Sequence, residues 1–174
     1  MHVLKALALA YDPAQDRVLT VVNPGALDSW AFWLTRRLAL ALLERLPATL
    51  EGTSAMAKQA PAEYRNDLVA FERDAALATT SKAMTRTDDS VMRNNAGAAE
   101  LAVTVKISDQ GNSFRLELHG ERGGQAAGIL GRAELQRILQ MVHDEAMKAS
   151  WLGVPAKPPE LIEAQASAAK PIRH

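Results

Sequence analysis

Residues 101–107 read Leu-Ala-Val-Thr-Val-Lys-Ile, so Leu101, Val103, Val105 and Ile107 fall on one side of an extended chain. Asp109-Gln110-Gly111-Asn112 follows, and then Phe114, Leu116 and Leu118 resume the same alternation. Alternation of period two on both sides of residues that tolerate a positive φ is the mark of a β-hairpin. A weaker version stands near the start, where Leu7, Leu9 and Tyr11 alternate within 4–11, Asp12-Pro13-Ala14-Gln15-Asp16 turns the chain, and Val18, Thr20 and Val22 continue.

A shift of 96 residues superposes the two hairpins, Leu7 on Val103, Leu9 on Val105, Tyr11 on Ile107, Val18 on Phe114 and Val22 on Leu118. The same shift carries Leu34-Thr35-Arg36 onto Leu130-Gly131-Arg132, and Ala39, Leu42, Leu43 and Leu46 onto Leu135, Ile138, Leu139 and Val142. Those last positions recur at the spacing of an amphipathic helix. One constant offset through turn, strand and helix points to an internal repeat of a sheet-forming unit.

Residues 27–34 and 125–130 precede the two helices and read as third strands, with Thr35 and Gly131 as N-caps and Glu134 at the third helical position. A single helix from Ser29 to Leu46, capped by Asp28, competes for the first of them. Between the units, Pro61, Glu63 and Asp67 with Tyr64, Leu68, Phe71 and Ala75 predict a helix over 61–78. Polar chain, whose composition could bury little, comes next, with a loop or short helix around Met84–Met92. The expected fold is therefore α+β, with two antiparallel β-meander-plus-helix units, about six strands, and a helical insertion between them. The expected boundaries are one domain at 1–152, with repeat one at 3–47, the insertion at 48–98 and repeat two at 99–152. A Pro- and Ala-rich tail, 153–174, is read as flexible, with a helical turn at 160–168. In layout this resembles the head domains of eukaryotic DNA end-joining scaffold proteins, where a helix-turn-helix interrupts an antiparallel sheet and a helix closes the chain. That likeness is one of architecture and implies no activity. The last helix, 132–151, is too short for the extended coiled coil of those proteins.

The chemistry is read mainly by exclusion. The chain of 174 residues has no cysteine, which removes disulfides, thiolate metal sites and cysteine nucleophiles and fits a cytoplasmic setting. Twenty basic and twenty acidic residues cancel, so no overall field attracts nucleic acid or anionic lipid. The apolar start is too short for a leader, and the apolar stretch 26–46 carries Asp28, Arg36, Arg37, Glu44 and Arg45, which a bilayer would reject. His2, His119, His143 and His174 show no ligand spacing, so no metal is expected. Gly120, Gly123, Gly124, Gly128 and Gly131 lack the ending of a phosphate-binding loop and read as a turn followed by a strand close to another backbone.

Two pairs of residues remain as interaction candidates. Arg36 and Arg132 each place a cation in the first turn of a helix, where the dipole opposes it by about 0.3–1 kcal/mol, so each calls for a compensating partner. Trp30 and Trp33 sit on a strand that would be a binding surface if left partly open. The function this supports is a non-catalytic protein-interaction or scaffold protein, homodimeric through 27–46 or the second helix and needing no cofactor. The alternative is a small-ligand binder or enzyme with a pocket at the seam near His119, Arg132 and His143.

Overall fold

The structure is a computed structural model and describes residues 1–80 and 88–153. Seven strands, β1 (His2–Val3), β2 (Leu7–Asp12), β3 (Arg17–Val22), β4 (Trp30–Thr35), β5 (Glu100–Asp109), β6 (Phe114–Gly120) and β7 (Gln125–Leu130), form one mixed sheet. The described helices are α1 (Arg36–Thr53), α2 (Ala55–Gln59), α3 (Arg65–Thr80), α4 (Asp89–Ala96) and α5 (Arg132–Lys148). The chain is thus α+β, as its periodicities imply.

The sheet has seven strands and not six, because the first strand is broken. Leu4, Lys5 and Ala6 separate β1 from β2, and the two pieces pair with different neighbours: β1 runs parallel to β7, and β2 antiparallel to β3. The order across the sheet is β1-β7-β6-β5-β4-β3-β2. Its two outermost strands are three residues apart in the chain, so the sheet closes on itself through this one segment. Asn23, at φ +50°, fastens the junction: its side-chain oxygen accepts from Lys5 N and Ala6 N at 2.9 and 3.1 Å, and its amide donates to the Val3 carbonyl at 2.7 Å. A period-two pattern cannot announce such a break, since neither strand segment loses its alternation.

Of the chain from 27 to 34, residues 30–34 are strand and 27–29 are the turn before it. β4 begins at Trp30, and Thr35 caps α1 by accepting from Leu38 N at 3.3 Å. At α5 the cap works from the other side, with Glu134 accepting from Gly131 N at 2.7 Å. The helix expected over 61–78 starts later, as a 3-10 turn at Ala62–Tyr64 leading into α3. Of the expected segment around Met84–Met92, residues 81–87 lie outside the described residues, and α4 runs further, to Ala96. The tail and the expected turn at 160–168 also lie outside, from residue 154 onward.

Two apolar clusters divide the core by sheet face. The larger joins Val18, Val22, Phe32, Leu34, Phe114, Leu116 and Leu118 to Leu46, Leu50, Leu135, Val142 and Ala146 of α1 and α5. The smaller sets Leu19, Val21, Ala31 and Trp33 against Met92 of α4. β3 and β4 are therefore buried on both faces, which is why their sequences lose the polar half of the alternation. The polar middle of the chain was expected to bury little, yet Met92 supplies the lid that makes this second face a core. On the corresponding outer face of β6, Arg115, Glu117 and His119 take the outward positions, and that face is left to solvent. Among the described residues, no helix is long and apolar enough to cross a membrane.

Candidate functional site

Arg132 and Arg36 have opposite surroundings. Arg132 donates from Nη1 to the Leu50 carbonyl at 2.7 Å and from Nη2 to Thr53 Oγ1 at 2.8 Å, with Glu72 Oε2 3.7 Å away and the Phe114 ring centroid 5.7 Å from its guanidinium carbon. Leu50 and Thr53 belong to the last turn of α1, which has no basic residue of its own. The cation that the α5 dipole disfavours is placed at the negative end of α1, which favours it. Ser54 completes the cluster by donating to Glu72 Oε1 at 2.9 Å while capping α2. Arg36 is exposed at the start of α1 and has no such partner among the described residues. Arg132→Met should accordingly lower stability by about 1.5–3 kcal/mol, the range for a hydrogen bond to a charged group. Arg36→Met should stay within about 0.5 kcal/mol. Urea melts of the two variants check the contrast, and equal effects would contradict this role for Arg132.

Beside Arg132, a groove of about 380 Å³ runs between α2, α3 and α5, walled by Met56, Phe71, Ala75 and Ala133. Gln136 lies under it, 1 % exposed, and neither its amide oxygen nor its nitrogen has a hydrogen-bond partner among the described residues. The alternative of a pocket at the seam needs His119, Arg132 and His143 in one concave site. His119 sits at the end of β6 away from Phe114, over which Arg132 lies, and pairs with Glu117 at 3.8 Å; His143 is exposed beside Asp144 on α5. Among the described residues, no group of three or more potential metal ligands comes together.

Trp33 is 9 % exposed within the smaller core, and Trp30 is half-buried. Trp30 stacks on His2 at 4.5 Å and donates its indole N–H to Glu100 Oε1 at 2.9 Å. Glu100 is 1 % exposed, and its other oxygen accepts from Arg122 N at 2.8 Å and Gly124 N at 3.4 Å. Burial pushes this carboxyl upward, but the bonds from Trp30, Arg122 and Gly124 and the charge of Arg122 outweigh it and hold the group below its usual range. Gly120 and Gly124 border the carboxylate so closely that a Cβ at either would collide with it. Sequence reasoning passed over Glu100. The available signal was an acid opening an apolar strand opposite a cluster of glycines.

The two meanders end in different edges. Asn23 N bonds the Ala6 carbonyl at 2.9 Å, which sets the phase of the β2–β3 ladder so that Tyr11 points its backbone groups away from β3. Glu145 of α5 meets that edge, its Oε2 accepting from Tyr11 N at 2.8 Å. Trp151 closes the region edge-on against the Tyr11 ring at 5.6 Å, and both residues donate to Asp16 Oδ1, Tyr11 at 2.9 Å and Trp151 at 3.0 Å. The bond to Asp16 raises the Tyr11 phenol above its usual pKa.

In the other ladder, Gln110 N bonds the Ser113 carbonyl at 2.8 Å, so Ser108, Lys106 and Thr104 exchange bonds with β6, and Val105 and Ile107 direct their N–H and C=O groups outward. The pairing with β4 ends at Leu101, far short of them. Thr49 holds the position on α1 that Glu145 holds on α5, and its hydroxyl is turned to the Arg45 carbonyl of its own helix at 3.2 Å. A groove of about 320 Å³ opens there, between Val105, Lys106 and Ile107 on one side and Leu38, Leu42, Arg45 and Thr49 on the other. Among the described residues, the edge that Glu145 caps in one meander is uncapped in the other. Neither a protein-family model, nor a curated protein sequence, nor a solved structure matches this chain.

Proposed function

We propose that this chain is a non-catalytic protein-interaction or assembly protein that works by strand addition at the edge of β5. The carrying observation is the outward-facing backbone of Val105 and Ile107 in a groove that no side chain of the described residues enters to cap. An unpaired strand edge is a template for another chain, and proteins that do not use one normally blunt it. β2 is blunted in this way, by Glu145 and Trp151. Within the 27–46 region, Ala31, Phe32, Trp33, Leu34, Ala39 and Leu46 are buried and exposed Leu27 stands apart in the turn before β4, while half-buried Leu38 and Leu42 line the groove beside β5. Amide hydrogen exchange in the free protein tests the proposal directly. Ile107 N–H should exchange at least tenfold faster than Tyr11 N–H, and an Ile107 amide as protected as Tyr11 would remove the open edge.

The two units also read as copies of one module. Support comes from register: Val18 opposite Leu34, shifted by 96, becomes Phe114 opposite Leu130, which is the pairing found. The parallel junctions agree as well, because Phe32 opposite Glu100 shifts to Gly128 beside Leu4, in line with His2 opposite Ala126. The β2–β3 and β5–β6 ladders differ by two residues, and the bulge at Ala102/Thr104 stands where the first strand breaks. Comparison of the two edges, Tyr11 with Ile107 and Glu145 with Thr49, rests on this correspondence.

A further inference from the structure

We propose that the groove between α1 and β5 takes an extended, acidic segment of another polypeptide, an inference that rests on the strand-addition reading above. The backbone groups of Val105 and Ile107 would pair with every second residue of the incoming strand. The Leu38 and Leu42 side chains form the apolar floor for its inward-facing side chains. Charge decides which strand fits. The ionisable residues lining the groove are Arg45 and Lys106, both exposed, and no carboxylate lines it. Glu117 stands across from Lys106 on β6 but is engaged by Arg115 at 2.6 Å, which with the charges of Lys106 and His119 holds its carboxyl below the usual range despite partial burial. Arg45 has no ion-pair partner among the described residues. A second copy of this chain is the poorer occupant. Antiparallel pairing of β5 with β5 about this edge would bring two Lys106 side chains and two Arg45 side chains together, and like charges across an interface disfavour it.

The probe is a library of random decapeptides displayed on yeast and selected against the full chain. Selected peptides should be acidic, with β-branched or aromatic residues at alternate positions. Their affinity should fall at least tenfold on the double variant Arg45→Gln, Lys106→Gln, which removes both charges without setting a second carboxylate opposite Glu117. N-methylation of a selected peptide at one set of alternate amides should abolish binding, while the other set is tolerated. Basic or charge-neutral selected peptides, binding indifferent to the double variant, or no enrichment at all would each overturn the proposal. A dimer in light scattering that dissociates in Ile107→Pro would overturn it in favour of self-pairing. Slow exchange at Ile107 defeats the open edge itself. Fast exchange at Ile107 combined with non-acidic selections defeats the acidic partner alone.

Discussion

Glu100→Gln is expected to lower the melting temperature by roughly 6–12 °C at neutral pH, from a loss of about 3 kcal/mol in a chain of this length. The carboxylate accepts from Trp30 on one oxygen and from Arg122 and Gly124 on the other. An amide keeps one acceptor and turns a donor toward the remaining N–H groups, leaving buried donors unpaired. Gly120 and Gly124 leave no room for the side chain to swing away. The effect has a definite pH dependence. Because the native pKa of Glu100 lies below the ordinary value of a glutamate carboxyl, its ionised form stabilises the fold fully above that ordinary value, and the contribution is lost as pH falls through the native pKa. The gap between wild type and Glu100→Gln should therefore be constant from pH 7 to about 5 and shrink as pH falls below the ordinary glutamate range. Scanning calorimetry across that range decides the matter. A gap that stays constant in acid, or a melting temperature within a degree of wild type, would show that the three bonds do not depend on the charge.

Gly128→Ala should cost about 2–3 kcal/mol, the range for overpacking a tight site, and lower the melting temperature by roughly 4–12 °C. A Cβ at Gly128 would stand 2.6 Å from the Leu4 carbonyl oxygen and 2.9 Å from the Leu4 Cβ. Backbone cannot rotate aside as a flexible side chain would, so β1 must move off β7. The bond from Leu4 N to the Ala127 carbonyl, 2.7 Å long, would lengthen with it. Gly97 is the control, since a Cβ there meets nothing within 4 Å and its φ of −68° suits any residue. Gly97→Ala should leave the melt unchanged, and faster exchange at the Leu4 amide in Gly128→Ala would locate the damage at the junction that closes the sheet. If Gly128→Ala melts like Gly97→Ala, the close approach of Leu4 is not a constraint on the fold.

The candidate site was less legible than the elements that carry it. Arg132 stood out because its charge opposes the start of α5, and its partner was invisible because Leu50 and Thr53 lie about eighty positions earlier. Arg36 carries the same local signal and has no comparable anchor, since a dipole argument names a need without naming what meets it. Trp30 and Trp33 looked alike as aromatic residues three apart. One stacks on His2 and bonds Glu100, and the other is sealed by Met92 from a polar stretch expected to bury little. The importance of Val105 and Ile107 lies in backbone groups, to which side-chain patterns are blind.

What the sequence determined by itself is local in origin. The period-two runs set four of the strands, Thr35, Gly131 and Glu134 marked the helix starts, and the apolar stripes of α1 and α5 named the faces that meet in the larger core. Each follows from side-chain direction along a few residues of backbone, which short-range sterics and hydrogen bonding control. The tertiary structure alone decided that the first strand divides between two neighbours, that the sheet closes through Leu4–Ala6, and that, among the described residues, one meander's edge is capped while the other's is open. Those outcomes depend on which distant groups arrive beside one another. Tyr11 and Ile107 both stand in alternating strands, and what tells them apart is Glu145, which bonds the Tyr11 backbone, against Thr49, which turns its hydroxyl to its own helix.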